Sequence, residues 1–393
     1  MLSREENEML TRVGPGTPAG ELLRRYWMPI AMAQELTDEN PTKFIRLLCE
    51  DLVLFRDKSG HVGLLADHCS HRGASLLYGR VEERGIACAY HGWLYDTAGN
   101  CLETPAEPAD SKFCLTVKHR AYPVQRFLGL YWAYLGPLPA PVIPKYDAWV
   151  RKDGRRRTSF RLLDCNWLQP MENSVDPAHL QILHQDQGTN REAGEASSTT
   201  RGRTDDVAEF EFYEIPYGIM KRRVYRNGLV DEHPLIFPNI LRHQGTQIRV
   251  PIDDTHTLHV AISFRGTPDG GEVDEPDPPA GYGKAHKDPP NGQYPAARYT
   301  MDDVAAQDYM AWETQRPVAD RSIERLATSD RGIVMLREML RREIGRVQQG
   351  LDPLGVVRDP NHEMIDTKLI HSVREYFGRD RGGAPREEQP VGA

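Results

Sequence analysis

The chain predicts an α+β protein in two unequal parts, an all-β module followed by a larger domain whose antiparallel sheet is flanked by helices. Three observations carry this expectation. Short strands and frequent turns fill residues 27–139. A proline-rich stretch, Gly136 to Pro144, then interrupts the pattern as a stiff connector. Beyond it, long strand-like runs are mixed with helical stripes. A length of 393 residues accommodates two or three ordinary domains.

Residues 1–26 predict one or two helices, with Leu10, Val13, Leu22 and Leu23 as apolar contacts around a turn at Gly14-Pro15-Gly16-Thr17-Pro18. In the β module, Phe44 to Leu48 and Leu52 to Phe55 read as strands, and Asp57-Lys58-Ser59-Gly60 as a hairpin turn. Leu94-Tyr95 and Gly129 to Leu135 continue the set. The larger domain opens with a strand at Phe160–Cys165 and a helix over 167–184. Strands are expected at 207–215, 219–226, 235–250 and 256–265. Residues 267–296 read as a long loop, either a lid or an excursion over a neighbour. Helices follow at Asp302–Thr314 and Ser322–Arg346, the second with Ile323, Leu326, Ile333, Leu336, Leu340 and Ile344 as its buried stripe. The expected domains are therefore a helical segment at 1–26 packing on the larger domain, the β module at 27–139, the larger domain at 140–377 and a mobile tail at 378–393.

Composition narrows the function. Hydrophobic residues make up 39% and charged residues 27%, as in globular proteins. A net charge of −8 gives no basic footprint for nucleic acid and disfavours anionic membranes. No apolar run approaches the ~20 residues of a membrane helix, and the acidic N-terminus is unlike a signal peptide. Of the six cysteines, Cys49, Cys101, Cys114 and Cys165 read as reduced, buried small hydrophobes, which suits a cytoplasmic location.

The other two carry chemistry. Cys69-Ser70-His71 is followed, after sixteen residues, by Cys88-Ala89-Tyr90-His91. Two thiolates and two imidazoles on paired loops can hold a [2Fe–2S] cluster, sulfur on one iron and nitrogen on the other, at a potential above that of an all-cysteine cluster. Zinc takes the same residue types. It more usually pairs cysteine with cysteine and histidine with histidine, whereas each pair here is mixed.

A one-electron centre in a chain this long needs an acceptor. Glu172-Asn173-Ser174-Val175-Asp176-Pro177-Ala178-His179, with His184 five residues further on, supplies a candidate. Two imidazoles at that spacing share no helical face unless a distortion or π-type turn brings them together. With one carboxylate they would form the facial triad of non-heme iron oxygenases. Alone, they read first as two core or surface histidines. Asp302, Asp303, Asp308 and Glu313 lie on or beside one predicted helix, where charges otherwise face solvent. Asp176 before Pro177 is also a helix N-cap pattern, and Asn173 reads equally as a cap.

The stretches Asp67 to Gly73 and Cys88 to Trp93 resemble the two cluster loops of Rieske proteins. The Glu-Asn-x-x-Asp-x-x-His-x4-His segment resembles the iron-binding helix of Rieske-type aromatic-ring oxygenases. Met1 to Asn7, Val13 to Pro18, Arg249 to Thr257 and Asp320 to Ile333 look like the phthalate 4,5-dioxygenase branch, so the likeness spans nearly the whole chain. It implies a Rieske domain joined to a helix-grip-like catalytic domain. It implies one [2Fe–2S] cluster on Cys69, His71, Cys88 and His91, and one Fe(II) on His179, His184 and Asp308, with Glu313 the alternative third ligand. Asp176 becomes a carboxylate bridging neighbouring subunits, Asn173 a residue near the iron, and Tyr90 a donor to a cluster sulfur.

The resemblance further implies a terminal oxygenase that hydroxylates or dihydroxylates an aromatic carboxylate such as phthalate with O2. Electrons would come from NADH through a separate flavin or iron–sulfur reductase, since the chain has no flavin or nicotinamide fingerprint. A head-to-tail homotrimer is implied. An O- or N-demethylase, an electron carrier with an interaction scaffold and a zinc protein stand as alternatives. Among Arg203, Arg222, Arg223, Arg226, Arg242 and Arg249, the candidate for a bidentate carboxylate clamp is Arg242, which follows the apolar run Leu235 to Leu241.

Overall fold

The computed structural model describes residues 1–184, 207–290 and 296–367. Two short helices lead. Helix α1 (Arg4–Thr11) starts at a capping box in which Ser3 and Glu6 satisfy each other's backbone N–H, and α2 (Pro18–Leu23) starts at Thr17 with proline in its first turn. Asn7 and Leu2 tie this segment to Ala319 and Arg321, so it packs on elements distant in sequence.

The β module follows in eleven strands: β1 (Met28–Met32), β2 (Thr42–Leu47), β3 (Glu50–Arg56), β4 (Val62–Ala66), β5 (Arg80–Glu82), β6 (Gly85–Ala87), β7 (Leu94–Tyr95), β8 (Cys101–Glu103), β9 (Ala121–Tyr122), β10 (Val124–Phe127) and β11 (Leu130–Ala133). They form three antiparallel sheets, in orders β1-β11-β10, β2-β3-β4-β9 and β5-β6-β7-β8. The Cys69 loop lies between β4 and β5, and the Cys88 loop joins β6 to β7. A small core of Val53, Phe55, Leu65, Leu76, Ile86 and Tyr95 packs directly beneath Cys69 and Cys88.

The larger domain begins with α3 (Asp147–Val150), β12 (Gly154–Leu163), α4 (Leu168–Ser174) and α5 (His179–Ile182). It continues with β13 (Val207–Ile215), β14 (Gly218–Tyr225), β15 (Val230–Ile236), β16 (Ile240–Arg242), β17 (Thr246–Pro251) and β18 (Thr257–Gly266). The short strands β19 (Ala280–Tyr282), β20 (Lys287–Asp288) and β21 (Arg298–Tyr299) precede α6 (Val304–Glu313) and α7 (Arg331–Gln348). Eight strands make one sheet, β13-β14-β15-β16-β17-β18-β12-β19, antiparallel except for the β12–β19 pair. One face of it buries Phe160, Ile248, Val260 and Ile262 in the main core, and the other carries α6.

Four expectations need correction. The helix over 167–184 is two helices, because Asp176-Pro177 interrupts it and the Asp176 carboxylate takes the Ala178 and His179 N–H groups. The strand over 235–250 is three strands, β15 to β17, separated by turns. The last helix starts at Arg331 rather than Ser322, since Asp320 and Asp330 close turns on Ser322 and Ala327, and Ile323 is 66% exposed. Cys49 is exposed rather than buried. The long loop is an excursion: β19 adds to the edge of the sheet, and Asp277, Ala280 and Tyr282 hydrogen-bond Arg126, Gln34 and Glu35 of the β module. The tail expected at 378–393 and Arg203 lie outside the described residues.

Candidate metal centres

The two cluster loops are built as copies. In each, the cysteine N–H donates to the carbonyl five residues on, Cys69 to Ala74 and Cys88 to Trp93, both at 2.9 Å. In each, a glycine four residues on donates back to the cysteine carbonyl at 2.8 Å, Gly73 to Cys69 and Gly92 to Cys88. Both glycines sit at φ 74°, the left-handed conformation that closes such a loop and that other residues resist.

The loops bury sulfur and expose nitrogen. Cys69 and Cys88 are each 3% exposed, whereas His71 lies at the surface. The His71 and His91 rings meet edge to face at 4.5 Å, and Trp93 stacks on His71. Both thiols are free. Burial pushes the Cys69 thiol up, and the neighbouring Cys88 adds to this. Two buried thiols and two facing imidazoles fit a cluster with its nitrogen-bound iron toward solvent. Tyr90 is exposed and lies over the His91 ring at 3.8 Å. The phenol at the sulfur is instead Tyr95, whose hydroxyl stands 3.2 Å from Cys69 Sγ. No alternation in the sequence singled it out, since both residues of β7, Leu94 and Tyr95, are buried.

The second site draws on helices remote in sequence. His184 lies just beyond the end of α5, so a helix end, not a π-turn, brings its ring within 5.3 Å of His179. Asp308 on α6 comes between them, its Oδ1 3.0 Å from His184 Nε2 and 3.6 Å from His179 Nε2. One donor atom from each of the three lies within 4.8 Å of the others. His184 Nδ1 lies 2.7 Å from the Gln307 side-chain oxygen, a bond that puts the proton on Nδ1 and leaves Nε2 free to ligate. His179 Nδ1 is buried without a hydrogen bond, 3.5 Å from Asp176 Oδ2. Burial would raise the Asp176 carboxyl, but His179, the Ala178 N–H and Lys221 more than offset it and hold it below its ordinary value. A mononuclear iron fits this donor set of two imidazoles and a carboxylate.

The supports are long-range. Gln169 on α4 donates to the Trp312 carbonyl, which holds α4 against the end of α6. Tyr309 on α6 reaches His259 on β18 at 3.0 Å. Glu172 is buried between Arg321 and Arg337, which anchors the helix that leads to Asp176. Glu313 is not with the triad. Its carboxylate takes the Asp164 N–H, His286, Lys287 and Tyr299, so it pins the β20–β21 hairpin to α6. Asn173 offers its carbonyl to the Asp176 N–H. Arg242 is no clamp: it is 4% exposed and spends its donors on Asp147, Thr367 and the His243 and Gly245 carbonyls, which leaves no fork for a substrate.

A cluster-bearing β module joined to a facial triad defines an iron–sulfur oxygenase. Residues 26–125 match the Rieske [2Fe-2S] domain model, and residues 295–371 match the model described as LigXa C-terminal domain like. The chain is 38% identical to the 5,5'-dehydrodivanillate O-demethylase oxygenase subunit of Sphingobium sp., over 94% of this chain and 87% of that one. It is 33% identical to the phthalate 4,5-dioxygenase oxygenase subunit of Pseudomonas putida, over 90% and 89%. Among solved structures, the oxygenase–ferredoxin complex of carbazole 1,9a-dioxygenase matches with a TM-score of 0.60 at 18% identity, covering 92% of this chain and 99% of that one. The chain belongs to the Rieske non-heme iron oxygenase family, as an oxygenase subunit. It is an oxidoreductase whose cofactors are a [2Fe–2S] cluster and a mononuclear iron. Among the described residues no helix is long and apolar enough to cross a membrane.

Proposed function

We propose that this chain is a terminal oxygenase for an aromatic carboxylate, with Cys69, His71, Cys88 and His91 holding the cluster and His179, His184 and Asp308 the iron. The observation that carries it is the meeting of three donor atoms within 4.8 Å, from residues 124 positions apart, with Asp176 beside them. When bound, the cluster supplies single electrons and the iron supplies open positions for O2 reduction. The protein's part is to fix both tautomers and to bring a ring close. Gln307 sets the His184 proton, and Asp176 faces His179 Nδ1.

Residues 27–139 act as the cluster domain and 140–377 as the catalytic domain, with 1–26 packed on the latter. Electrons reach the cluster from a separate partner, a flavin or iron–sulfur reductase that draws on NADH. The working unit is a head-to-tail trimer in which Asp176 also accepts from the partner subunit's His91. The partial exposure of His91 and the 24% exposure of the Asp176 side chain support such a meeting. Asn173 acts near the iron. The absence of a disulfide among the six cysteines, all of them described residues, suits a cytoplasmic setting for the protein.

A second reading is favoured by one relative. The O-demethylase named above is more alike in identity than the phthalate enzyme, so removal of a ring methyl ether stands beside ring dihydroxylation. The test is O2 uptake with a surrogate reductase on phthalate and on 5,5'-dehydrodivanillate, with product analysis. A diol assigns the first reading and a phenol with formaldehyde the second. Uptake on neither, with both metals loaded, would refute both.

A further inference from the structure

The metal centre leaves one strand unexplained. Along β14, alternation places Lys221 and Arg223 on one face, with Lys221 opposite His233 on β15. Register carries that face across the sheet through Leu235, Leu241 and Gln247 to Arg249 opposite His259. It is the face on which α6 lies, since Tyr309 meets His259 and Trp312 lies under the Arg249 guanidinium.

Lys221 is 5% exposed. An ammonium taken out of water is strongly disfavoured unless a counterion or hydrogen bonds offset its lost hydration. The Lys221 ammonium makes neither an ion pair nor a hydrogen bond with any described residue. The carboxylates whose charge it feels are Asp176, Asp231 and Asp308. Asp231 is taken by Arg223, and Asp176 and Asp308 belong to the metal centre. Burial and the adjacent Arg223 push the Lys221 ammonium down to about 7, as expected of a cation short of a counterion. Arg223 itself gives one arm to Asp231, and its Nη1 is buried with no partner. Two cationic groups, each more than nine-tenths buried, thus stand two residues apart on the face toward the triad, and Arg223 Nη1 is left without a partner.

We propose that Lys221, with Arg223 Nη1 beside it, is the anion anchor of the substrate pocket, taking the carboxylate of an aromatic acid and so setting which edge of the ring meets the triad. The proposal deepens the function proposed above and rests on its acid-substrate reading. A lysine ammonium accepts a carboxylate at any rotation, and the planar Arg223 nitrogen adds direction. The pair replaces Arg242, whose donors are spent on the fold.

The test uses the full chain with both metals loaded. Phthalate and 5,5'-dehydrodivanillate are compared with their methyl esters by O2 uptake and by titration calorimetry. The parent enzyme is expected to favour acid over ester. In Lys221→Met that preference should fall by about tenfold or more, through KM more than kcat, with the cluster spectrum and iron content kept. Lys221→Arg should restore part of it, and Lys221→Gln, the substitute should Lys221→Met fold poorly, should show the same loss of preference. Acid preference unmoved in Lys221→Met or Lys221→Gln overturns the anchor while the acid-substrate reading stands. A parent enzyme that binds and oxidises esters as well as acids overturns both.

Discussion

The two metal sites are held in opposite ways. At the cluster, all four candidate ligands lie within 23 consecutive positions, on two loops closed by their own backbone hydrogen bonds. At the mononuclear site, His184 and Asp308 are 124 positions apart, and their meeting depends on Gln169, Tyr309, Glu172 and Glu313 holding three helices against one sheet. A local site tolerates loosening of the rest of the fold. A site assembled over distance transmits it. The cluster should therefore survive lesions that empty the iron site.

The largest expected effect tests that directly. His184→Ala removes a ligand whose side chain is fully buried. It should lose the mononuclear iron and depress turnover beyond the ~100-fold typical of losing an outer partner, while the visible spectrum of the cluster is unchanged. Loss of the spectrum as well would show that the two sites are not independent. Asp176→Asn comes next. It keeps the shape but weakens the acceptor facing His179, so both metals should stay and turnover should fall by ~10–100-fold. Iron analysis with single-turnover oxygenation checks it, and full activity would remove the role given to Asp176.

The same contrast governed what could be read in the chain. The cluster loops were legible because cysteine, histidine and glycine recur at short fixed spacing, and spacing within a loop is geometry. Both histidines of the second site were legible as residues, but not the way they meet. That depends on where α5 ends, which Asp176-Pro177 fixes through hydrogen bonds no periodicity reports. Asp308 and Glu313 looked alike on one helix. Only the partners separated them, a histidine pair for one and a four-donor pocket for the other. Arg242 looked like a substrate clamp because it follows an apolar run, and its true partner Asp147 is 95 positions away. Lys221 had no signal, since a lysine in a strand reads as a surface charge until the sheet is closed over it.

A third prediction sharpens the idea of transmitted loosening. Burial alone would raise the Glu313 carboxyl, but His286, Lys287, the Asp164 N–H and Tyr299 pull it down to about 2. A carboxylate depressed in the folded state stabilises above its unfolded pKa and loses that contribution as pH falls toward the folded one. The window runs from about 4.5 down to about 2, and the contribution is roughly 3 kcal/mol. Glu313→Gln should lower the midpoint of denaturant unfolding at pH 7 and flatten its decline below pH 4.5. The iron should also leave more readily on dialysis, while the cluster is retained. Equal loss of both metals would contradict the division between the sites.

The smallest effect probes the cluster from just beyond its second loop. Tyr95 lies at 3.2 Å from Cys69 Sγ, and its ring is completely buried. With sulfur bound to iron, the phenol is the donor, and its bond is worth more to the reduced cluster, whose sulfur carries more negative charge. Removing it therefore favours the oxidised state. A neutral hydrogen bond of about 1 kcal/mol corresponds to a shift on the order of 40 mV for one electron. Tyr95→Phe should lower the midpoint potential by that much in protein-film voltammetry, with the cluster content unchanged. The exposed Tyr90→Phe makes no such bond and should leave the potential where it is. If the two substitutions moved the potential equally, the shift would come from ring packing on the loops and not from the Tyr95 hydroxyl. If only Tyr95→Phe moves it, the electron's driving force is set by a residue two places beyond the second loop, within the same short stretch that builds the site.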